Sequence, residues 1–561
     1  MAAPAACRLG LVGVLVAGCG AAFQAVDQRS PAELLPAGDP VAVTVGSTGT
    51  SPGQPCNGTF ARHPLGVSTE VDGPIRMFDS NGAGVAIGDL DGDGDLDLVF
   101  ANLDGPDSIL WNEGGLEFSR TTLNDRSSRA VATVDVDGDG RLEIVFTHRA
   151  GTVSIWRSSA DAPRSFDRAT VDGIYRRAYA MNWLDLDGNG WLDVVTGSYD
   201  AESFLELRDT FLQSDGDGIW AYRQDNGRFT GERLATKSDA LSIAFPDLDG
   251  DGRRDLLVGN DFLTPDAAWR SSDSGLVPID RPLATTTEDT MSLAEADVDN
   301  DGALELFATD MKPYGTDVHT LAAWLPVFDK MPKQKPPSDP QQIANVLQVR
   351  DGAGVYRDRA TDRGLAASGW SWSSKFGDLD SDGSLDLYVV NGMIDGQSLA
   401  HLPGNELVET NRLFRNLGGG VFGPADEWGL GATESGRGMS MADLDGDGDL
   451  DIVVNNLGTE AVLFENRLCG GTSVQVDLRW DGSHNTRAIG ARLALVTSAG
   501  TLRRDVTALS GYLSGDAPRQ HFGVPRGASI DRLVVGWPDG RVSSVADVAP
   551  GAMLTVTRTD R

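Results

Sequence analysis

The sequence predicts an all-β protein, and three observations point there. A nine-residue acidic turn recurs seven times, a β-branched or alternating apolar run follows each copy, and 68 glycines are spread over 561 residues. The first copy is Asp89-Leu-Asp91-Gly-Asp93-Gly-Asp95-Leu-Asp97, running into Leu98-Val-Phe100. The others begin at Asp135, Asp185, Asp247, Asp297, Asp378 and Asp443, so that successive starts lie 46, 50, 62, 50, 81 and 65 residues apart. Such repetition marks a repeat architecture, with insertions in the third, fifth and sixth units.

The turn itself carries a chemistry. Carboxylates at positions 1, 3, 5 and 9 repel one another in water, so their arrangement makes sense around a bound cation. Hard carboxylate and backbone oxygens at short spacing, with Gly at position 6 for the sharp bend, suit Ca²⁺. The candidate ligands are positions 1, 3, 5, 7 and 9, backbone oxygens counting where the side chain is not acidic. They are Asp89, Asp91, Asp93, Asp95 and Asp97; Asp135, Asp137, Asp139, Arg141 and Glu143; Asp185, Asp187, Asn189, Trp191 and Asp193; Asp247, Asp249, Asp251, Arg253 and Asp255. The last three turns add Asp297, Asp299, Asp301, Ala303 and Glu305; Asp378, Asp380, Asp382, Ser384 and Asp386; and Asp443, Asp445, Asp447, Asp449 and Asp451. Asn189 lacks a charge, and Glu143 and Glu305 are a methylene longer, so those three sites are expected to be the weaker ones. An EF-hand shares the start of the motif but needs an acidic position 12 and flanking helices. Position 12 is Phe100, Phe146, Thr196, Val258, Ala308, Val389 and Val454. The remaining alternative is a set of merely solvated acidic turns.

From the N-terminus, Met1 to Cys19 reads as a secretion signal: Arg8, the apolar stretch Leu9 to Ala17, then Gly18-Cys19. The stretch is too short to cross a bilayer as a helix. Val16-Ala17-Gly18-Cys19 resembles the bacterial lipobox, which implies lipidation of Cys19; an ordinary signal peptide is the alternative. Gly20 in place of Asp favours the outer membrane by the same resemblance. Residues 20–55 are rich in Ala, Pro, Gly, Ser and Thr without period and read as a flexible tether, spanning roughly 30–35 Å as a coil. Asn57-Gly58-Thr59 reads as a turn.

Residues 56–469 hold the repeats. A short strand precedes each acidic turn (Gly84 to Gly88, Gly438 to Ala442) and the apolar strand follows. A third strand, a Gly turn and an aromatic come next, as in Ile109-Leu110-Trp111-Asn112 to Phe118 and Leu413-Phe414-Arg415-Asn416 to Phe422. Four short antiparallel strands per unit describe a β-propeller blade, and seven units describe a seven-bladed ring with every metal turn on one face. The last unit ends Leu463-Phe464-Glu465-Asn466-Arg467-Leu468-Cys469 without a Gly turn or fourth strand. Cys56-Asn57-Gly58-Thr59-Phe60 supplies the missing pattern, so residues 58–65 are expected to close the seventh blade and remove an exposed edge. Cys56 and Cys469 then become neighbours able to form a disulfide in an oxidising envelope, two free buried thiols being the alternative. The insertion at 311–342 joins Trp324-Leu-Pro-Val-Phe328 to Lys330, Lys333 and Lys335 and reads as a flap over the disc, or else as a basic partner contact. Residues 470–561 alternate apolar and polar and predict a small β-domain beside the propeller.

These residues carry a resemblance. The turns are similar to FG-GAP/VCBS repeats, as in integrin α-subunit propellers. Asn345-Val-Leu-Gln-Val-Arg-Asp-Gly-Ala-Gly-Val-Tyr356 and Trp370-Ser-Trp372-Ser-Ser-Lys-Phe-Gly-Asp378 resemble the cartilage acidic protein group. Its C-terminal ASPIC/UnbV domain is echoed by Arg487-Ala-Ile-Gly490-Ala491, Gly511-Tyr512-Leu513-Ser514, Gln520-His521-Phe522-Gly523 and Trp537-Pro538-Asp539-Gly540. The resemblance implies a fold more than an activity.

A net charge of −35 argues against nucleic acid, whose phosphates need a basic surface. Histidines occur only at 63, 148, 319, 401, 484 and 521, with no pair at metal-ligand spacing, and no nucleophile elbow, P-loop or dinucleotide fingerprint is present. His521 is expected to pack rather than act as a base. The expected function is therefore a calcium-stiffened, envelope-anchored binding or scaffold module, with an unknown protein or glycan as partner on the loop face and up to seven structural Ca²⁺. The alternatives are a polysaccharide-acting enzyme using the propeller channel, and a biosynthetic or assembly accessory protein.

Overall fold

The computed structural model of the chain describes residues 38–51, 53, 55–205, 216–262, 264–329, 339–352 and 354–560. The signal segment with Cys19, and Lys330, Lys333 and Lys335, lie outside the described residues.

Seven units of four antiparallel strands follow one another, two of them carrying added strands. Their first strands are Val85–Gly88, Ser128–Val134, Ala180–Leu184, Ala240–Ala244, Ser292–Ala296, Gly369–Gly377 and Gly436–Ala442. Each first strand touches the next, and the seventh returns to the first, so the units close a cycle. This arrangement is consistent with a β-propeller. Inner strands such as Asp97–Phe100 and Ser108–Asn112 are buried at every residue, because neighbouring sheets cover both their faces; this is why they read as apolar runs. Outer strands such as Phe118–Thr122 are mostly exposed.

The cycle is closed from the other end of the chain. Thr59–Ser68 pairs antiparallel with Glu460–Arg467 in register Phe60↔Asn466 and His63↔Leu463, giving the seventh unit its fourth strand. Cys56 and Cys469, separated by 413 positions in the sequence, form a disulfide across this seam with Cα atoms 5.2 Å apart.

Residues 472–558 contribute three strands to one further sheet and four to another. One joins Thr472–Trp480, Gln520–Val524 and Ala552–Arg558; the other joins Arg492–Thr497, Gly500–Asp505, Ile530–Gly536 and Val542–Ala546. Val476, Leu493, Leu495, Phe522, Leu533 and Val535, all fully buried, form its core. The first sheet also takes an N-terminal edge strand, Thr44–Gly49, paired with Ala552–Arg558. The tether expected over 20–55 is thus partly a strand. Its six residues are exposed and hold by backbone pairing, which leaves no apolar signature in the sequence.

The position of this C-terminal domain also differs from the expected one. Rather than packing beside the ring, it lies across it and sends residues 509–516 into the centre. Every first strand bonds this plug. Val85 N and Met439 N donate to Ser514 Oγ (3.3 and 3.1 Å), and Val131 N donates to Leu513 O (3.1 Å). Asn182 Nδ2 donates to Leu509 O (3.1 Å), Ser242 Oγ to Gly511 O (2.7 Å) and Gly511 N to Leu293 O (2.8 Å). Tyr512 N reaches Ser373 Oγ (3.3 Å), and Ser440 Oγ donates to Gly515 O (2.8 Å). Gly84 is required here, since a Cβ at that position would lie 1.8 Å from Leu513 O. Tyr512 is fully buried, passes Trp372 (ring centroids 5.3 Å apart) and donates to Asn81 O (2.8 Å) beyond the ring.

In the 311–342 insertion, a helix over Val318–Phe328 is capped by Asp317, whose Oδ1 accepts from His319 N and Thr320 N. Buried Trp324 stacks on Phe328, lies 5.7 Å from Trp370 and donates to Glu409 (3.2 Å). The helix is therefore fastened to the sixth unit. No helix among the described residues is long and apolar enough to cross a membrane.

Candidate metal centres

Each acidic turn joins the first two strands of its unit and folds on its own hydrogen bonds. In the second turn, Asp135 Oδ1 accepts from Gly138 N (2.8 Å) and Oδ2 from Gly140 N (2.8 Å). Asp185 and Asp443 repeat this geometry. In all seven turns the side chain at position 5 accepts the N–H of position 7, from Asp93 with Asp95 (3.0 Å) to Asp447 with Asp449 (3.0 Å). Position 9 is buried and ties the turn to the blade: Asp97 accepts from Leu90 N (3.0 Å) and from Asn112 N on the third strand (2.9 Å). The glycine at position 6 has positive φ, 92° at Gly140 and 103° at Gly448, which an L side chain rarely adopts.

These bonds gather carboxylates. Ligand atoms of Asp89, Asp91 and Asp97 lie within 4.8 Å of one another, as do those of Asp135, Asp137 and Glu143, of Asp185, Asp187 and Asp193, and of Asp297, Asp299 and Glu305. In the fourth turn the group is Asp247, Asp249 and Asp251. In the sixth and seventh turns burial, and after it Asp382 and Asp380, push up Asp378, and burial, then Asp445 and Asp443, push up Asp451. Side chains at position 7 are engaged elsewhere: Arg141 pairs with Asp139, Trp191 stacks on His484 at 3.6 Å and Arg253 pairs with Asp273. Only the main-chain oxygen of these three can face an ion.

The residues fit a hard divalent cation. Burial, then neighbouring carboxylates, push Asp97 and Asp193 up to about 7 and Glu143 to about 8. Buried oxygens Asp137 Oδ1, Asp297 Oδ1, Asp299 Oδ1 and Asp380 Oδ1 have no hydrogen-bond donor. Both facts describe acceptors short of positive charge. Arginines offset part of it: Arg164 sits 2.5 Å from Asp91, Arg415 2.5 Å from Asp380 and Arg363 3.3 Å from Asp299. The second turn adds Arg141 and Arg157, and the fourth Arg253, Arg270 and Arg350, against four carboxylates in each, so carboxylates stay in excess.

The C-terminal domain covers this face. Its side chains reach the position-6 carbonyl of six turns: Arg519 to Gly94 O (3.1 Å), Arg487 to Gly140 O (3.2 Å), Ser483 to Gly190 O (3.2 Å) and Arg492 to Gly252 O. Arg503 reaches Gly302 O (2.7 Å) and His521 Nε2 reaches Gly448 O (2.9 Å). The carbonyl of Gly383 instead accepts from Asn300 Nδ2 (3.1 Å). Burial, and then Arg504, hold the His521 imidazole down at about 3, so it stays neutral. The loop face expected to meet a partner is thus occupied by the chain itself. Sequence reasoning missed these contacts, because donors scattered over 483–521 have no spacing of their own.

A Ser–His–Asp cluster also escaped the sequence. Ser154 Oγ lies 2.9 Å from His148 Nε2 and donates to Asp125 (2.7 Å), while Ser128 Oγ donates to Asp107 (2.7 Å) and lies 3.5 Å from His148 Nδ1. Ser154 is 1% exposed and Ser128 and Asp107 fully buried, so a substrate has no approach and the cluster joins the first two units.

Residues 481–561 match the family described as ASPIC and UnbV. Residues 89–146, 135–196, 247–308 and 403–454 match the FG-GAP-like repeat. No curated protein matches the chain. Among solved structures, BBS1N in complex with ARL6DN is similar at 10% identity and TM-score 0.41, over 73% of this chain and 97% of that one. A lectin from Agrocybe aegerita that recognises non-reducing terminal N-acetylglucosamine is similar at 15% identity and TM-score 0.36, over 66% and 88%. Sqt1 from Saccharomyces cerevisiae is similar at 11% identity and TM-score 0.37, over 68% and 95%. At these scores the likeness carries no argument.

Proposed function

From a chain that carries FG-GAP-like repeats and a C-terminal ASPIC and UnbV domain, we propose a seven-bladed β-propeller that binds calcium structurally and serves as a protein- or glycan-binding scaffold at a bacterial cell envelope. Lipidated Cys19 would anchor it, with the outer membrane favoured. The observation that supports this reading most is the set of gathered carboxylates, with buried oxygens that lack any donor in three of the turns.

In this reading Asp or Glu at positions 1, 3 and 9, with position 5 and a main-chain oxygen of position 7, would hold each ion. Calcium would supply the positive charge that lets buried carboxylates stay ionised. The residues do the rest: position 1 folds the turn, and position 9 transmits its geometry to the third strand. Extracellular calcium modules bind at about 10⁻⁴–10⁻³ M. At about 1 mM calcium each site then contributes roughly 0.4–1.4 kcal/mol, and seven about 3–10 kcal/mol. That is comparable with a whole domain's stability of about 5–15 kcal/mol. Chelation is expected to lower the thermal midpoint markedly. Calcium-independent melting, with equilibrium dialysis finding no bound ion, would end the proposal.

With the turns covered, the partner surface belongs on the opposite side, where loops join second to third strands. There Val318, Leu321 and Leu325, on one helix face, are exposed, as is Val408. The polysaccharide-acting alternative needs an open channel, whereas Tyr512 and its neighbours occupy that space. Capture from the native envelope and a glycan array, each with and without chelator, tests the binding reading. Turnover on a polymer panel would favour the alternative.

A further inference from the structure

We propose that the C-terminal domain supplies the outer coordination shell of the metal turns, so that calcium binding and insertion of the 509–516 plug are reciprocally linked. The inference rests on the metal reading above and adds what the covering domain does.

The geometry joins the two events in five turns through one glycine, whose N–H and C=O belong to adjacent peptide groups. At position 6 the N–H closes onto the position-1 carboxylate, as Gly302 N does onto Asp297 Oδ2 (3.0 Å), while the C=O of the same glycine accepts Arg503 Nη1 (2.7 Å). Gly140 and Gly448 are held the same way from both sides. Two ligands are also gripped directly: Thr486 Oγ1 bonds Asp135 Oδ2, and Gln475 Nε2 bonds Asp443 Oδ2. Partners that orient a metal's ligands tune its affinity strongly. When the ion leaves, carboxylate repulsion reorients position 1, and the glycine that the domain grips through its following peptide must turn with it. Six turns act on one domain, whose plug meets all seven first strands, so small changes at each turn add at the plug. Linkage then works in both directions.

The test uses the full chain. Equilibrium dialysis first establishes that calcium binds. Hydrogen exchange is then followed over residues 503–521 with calcium and with chelator, and amides of the plug are expected to exchange about tenfold or more faster without the ion. Reciprocally, the double variant Arg492→Ala/Arg519→Ala, which leaves every proposed ligand in place, is expected to bind calcium about threefold or more weakly. Unchanged plug protection in a chain shown to lose its calcium overturns the linkage and leaves the metal reading intact. Absence of bound calcium overturns the metal reading and the linkage with it. The exchange arm needs no variant, so it decides even if the double variant misfolds.

Discussion

Asp107 shows how burial sets a single side chain's pH behaviour. It is fully buried, and that burial pushes it up to about 8 against the hydrogen bonds of Ser128 and Asn102, with Asp125 adding in the same direction. His148 beside it is held low by burial and brings no compensating charge. A carboxyl raised in the folded state keeps a proton that the unfolded chain has lost. Its contribution is therefore greatest in acid, declines as pH rises from about 4 to about 8, and is level beyond. Asp107→Asn keeps an acceptor for Asn102 N and can donate to Ser128, so it is expected to remove this slope and gain about 1–3 kcal/mol at pH 8. Denaturation midpoints of both proteins at pH 5 and pH 8 check it; parallel pH profiles would refute it. Legibility at this scale followed locality. The metal turns could be read because nine consecutive residues hold most of the proposed ligands, whereas Asp107, Ser128 and His148 meet only through packing and share no spacing. Arg487, Arg492 and Arg519 were silent for the same reason.

At the scale of elements, the closing strand was legible because its absence was: the last unit stopped at Cys469 without its Gly turn, and Cys56 to Phe60 carried the missing piece. Thr59–Ser68 now completes that sheet beside the Cys56–Cys469 bridge. A bridge across 413 residues chiefly restrains the unfolded chain. Cys56→Ser is thus expected to cost about 3–5 kcal/mol in denaturant, and reductant should lower the parent protein but not the variant. The plug was illegible, since Gly511-Tyr512-Leu513-Ser514 is a short apolar-polar run with no period to reveal where it inserts. Its weight is nonetheless large. Tyr512→Ala would empty a fully buried ring site at the centre and is expected to cost about 3–5 kcal/mol. Tyr512→Phe would leave Asn81 O without its donor at about 1–2 kcal/mol. A melting series in which alanine costs no more than phenylalanine would show that the ring does not carry the packing assigned to it.

For the whole molecule, charge is the term that composition and structure both bring forward. The chain carries −35, and the proposed seven divalent ions would bring it to about −21. Without them, repulsion arises mostly within turns whose carboxylate atoms lie inside 4.8 Å of one another, with a broader contribution from all seven turns sharing one face. The two contributions respond differently to salt. At about 1 M ionic strength the Debye length is about 3 Å, short enough to screen one turn from the next but less effective between buried neighbours within a turn. Sodium chloride is therefore expected to raise the thermal midpoint of the chelated protein only in part, and to move that of the calcium-loaded protein little. Melting at low and at 1 M sodium chloride, each with calcium and with chelator, separates the cases. Full recovery by salt would mean that diffuse repulsion dominates and that the turns need no specific ion. No recovery at all would place the whole effect inside the turns, three of which hold a buried carboxylate oxygen without a donor.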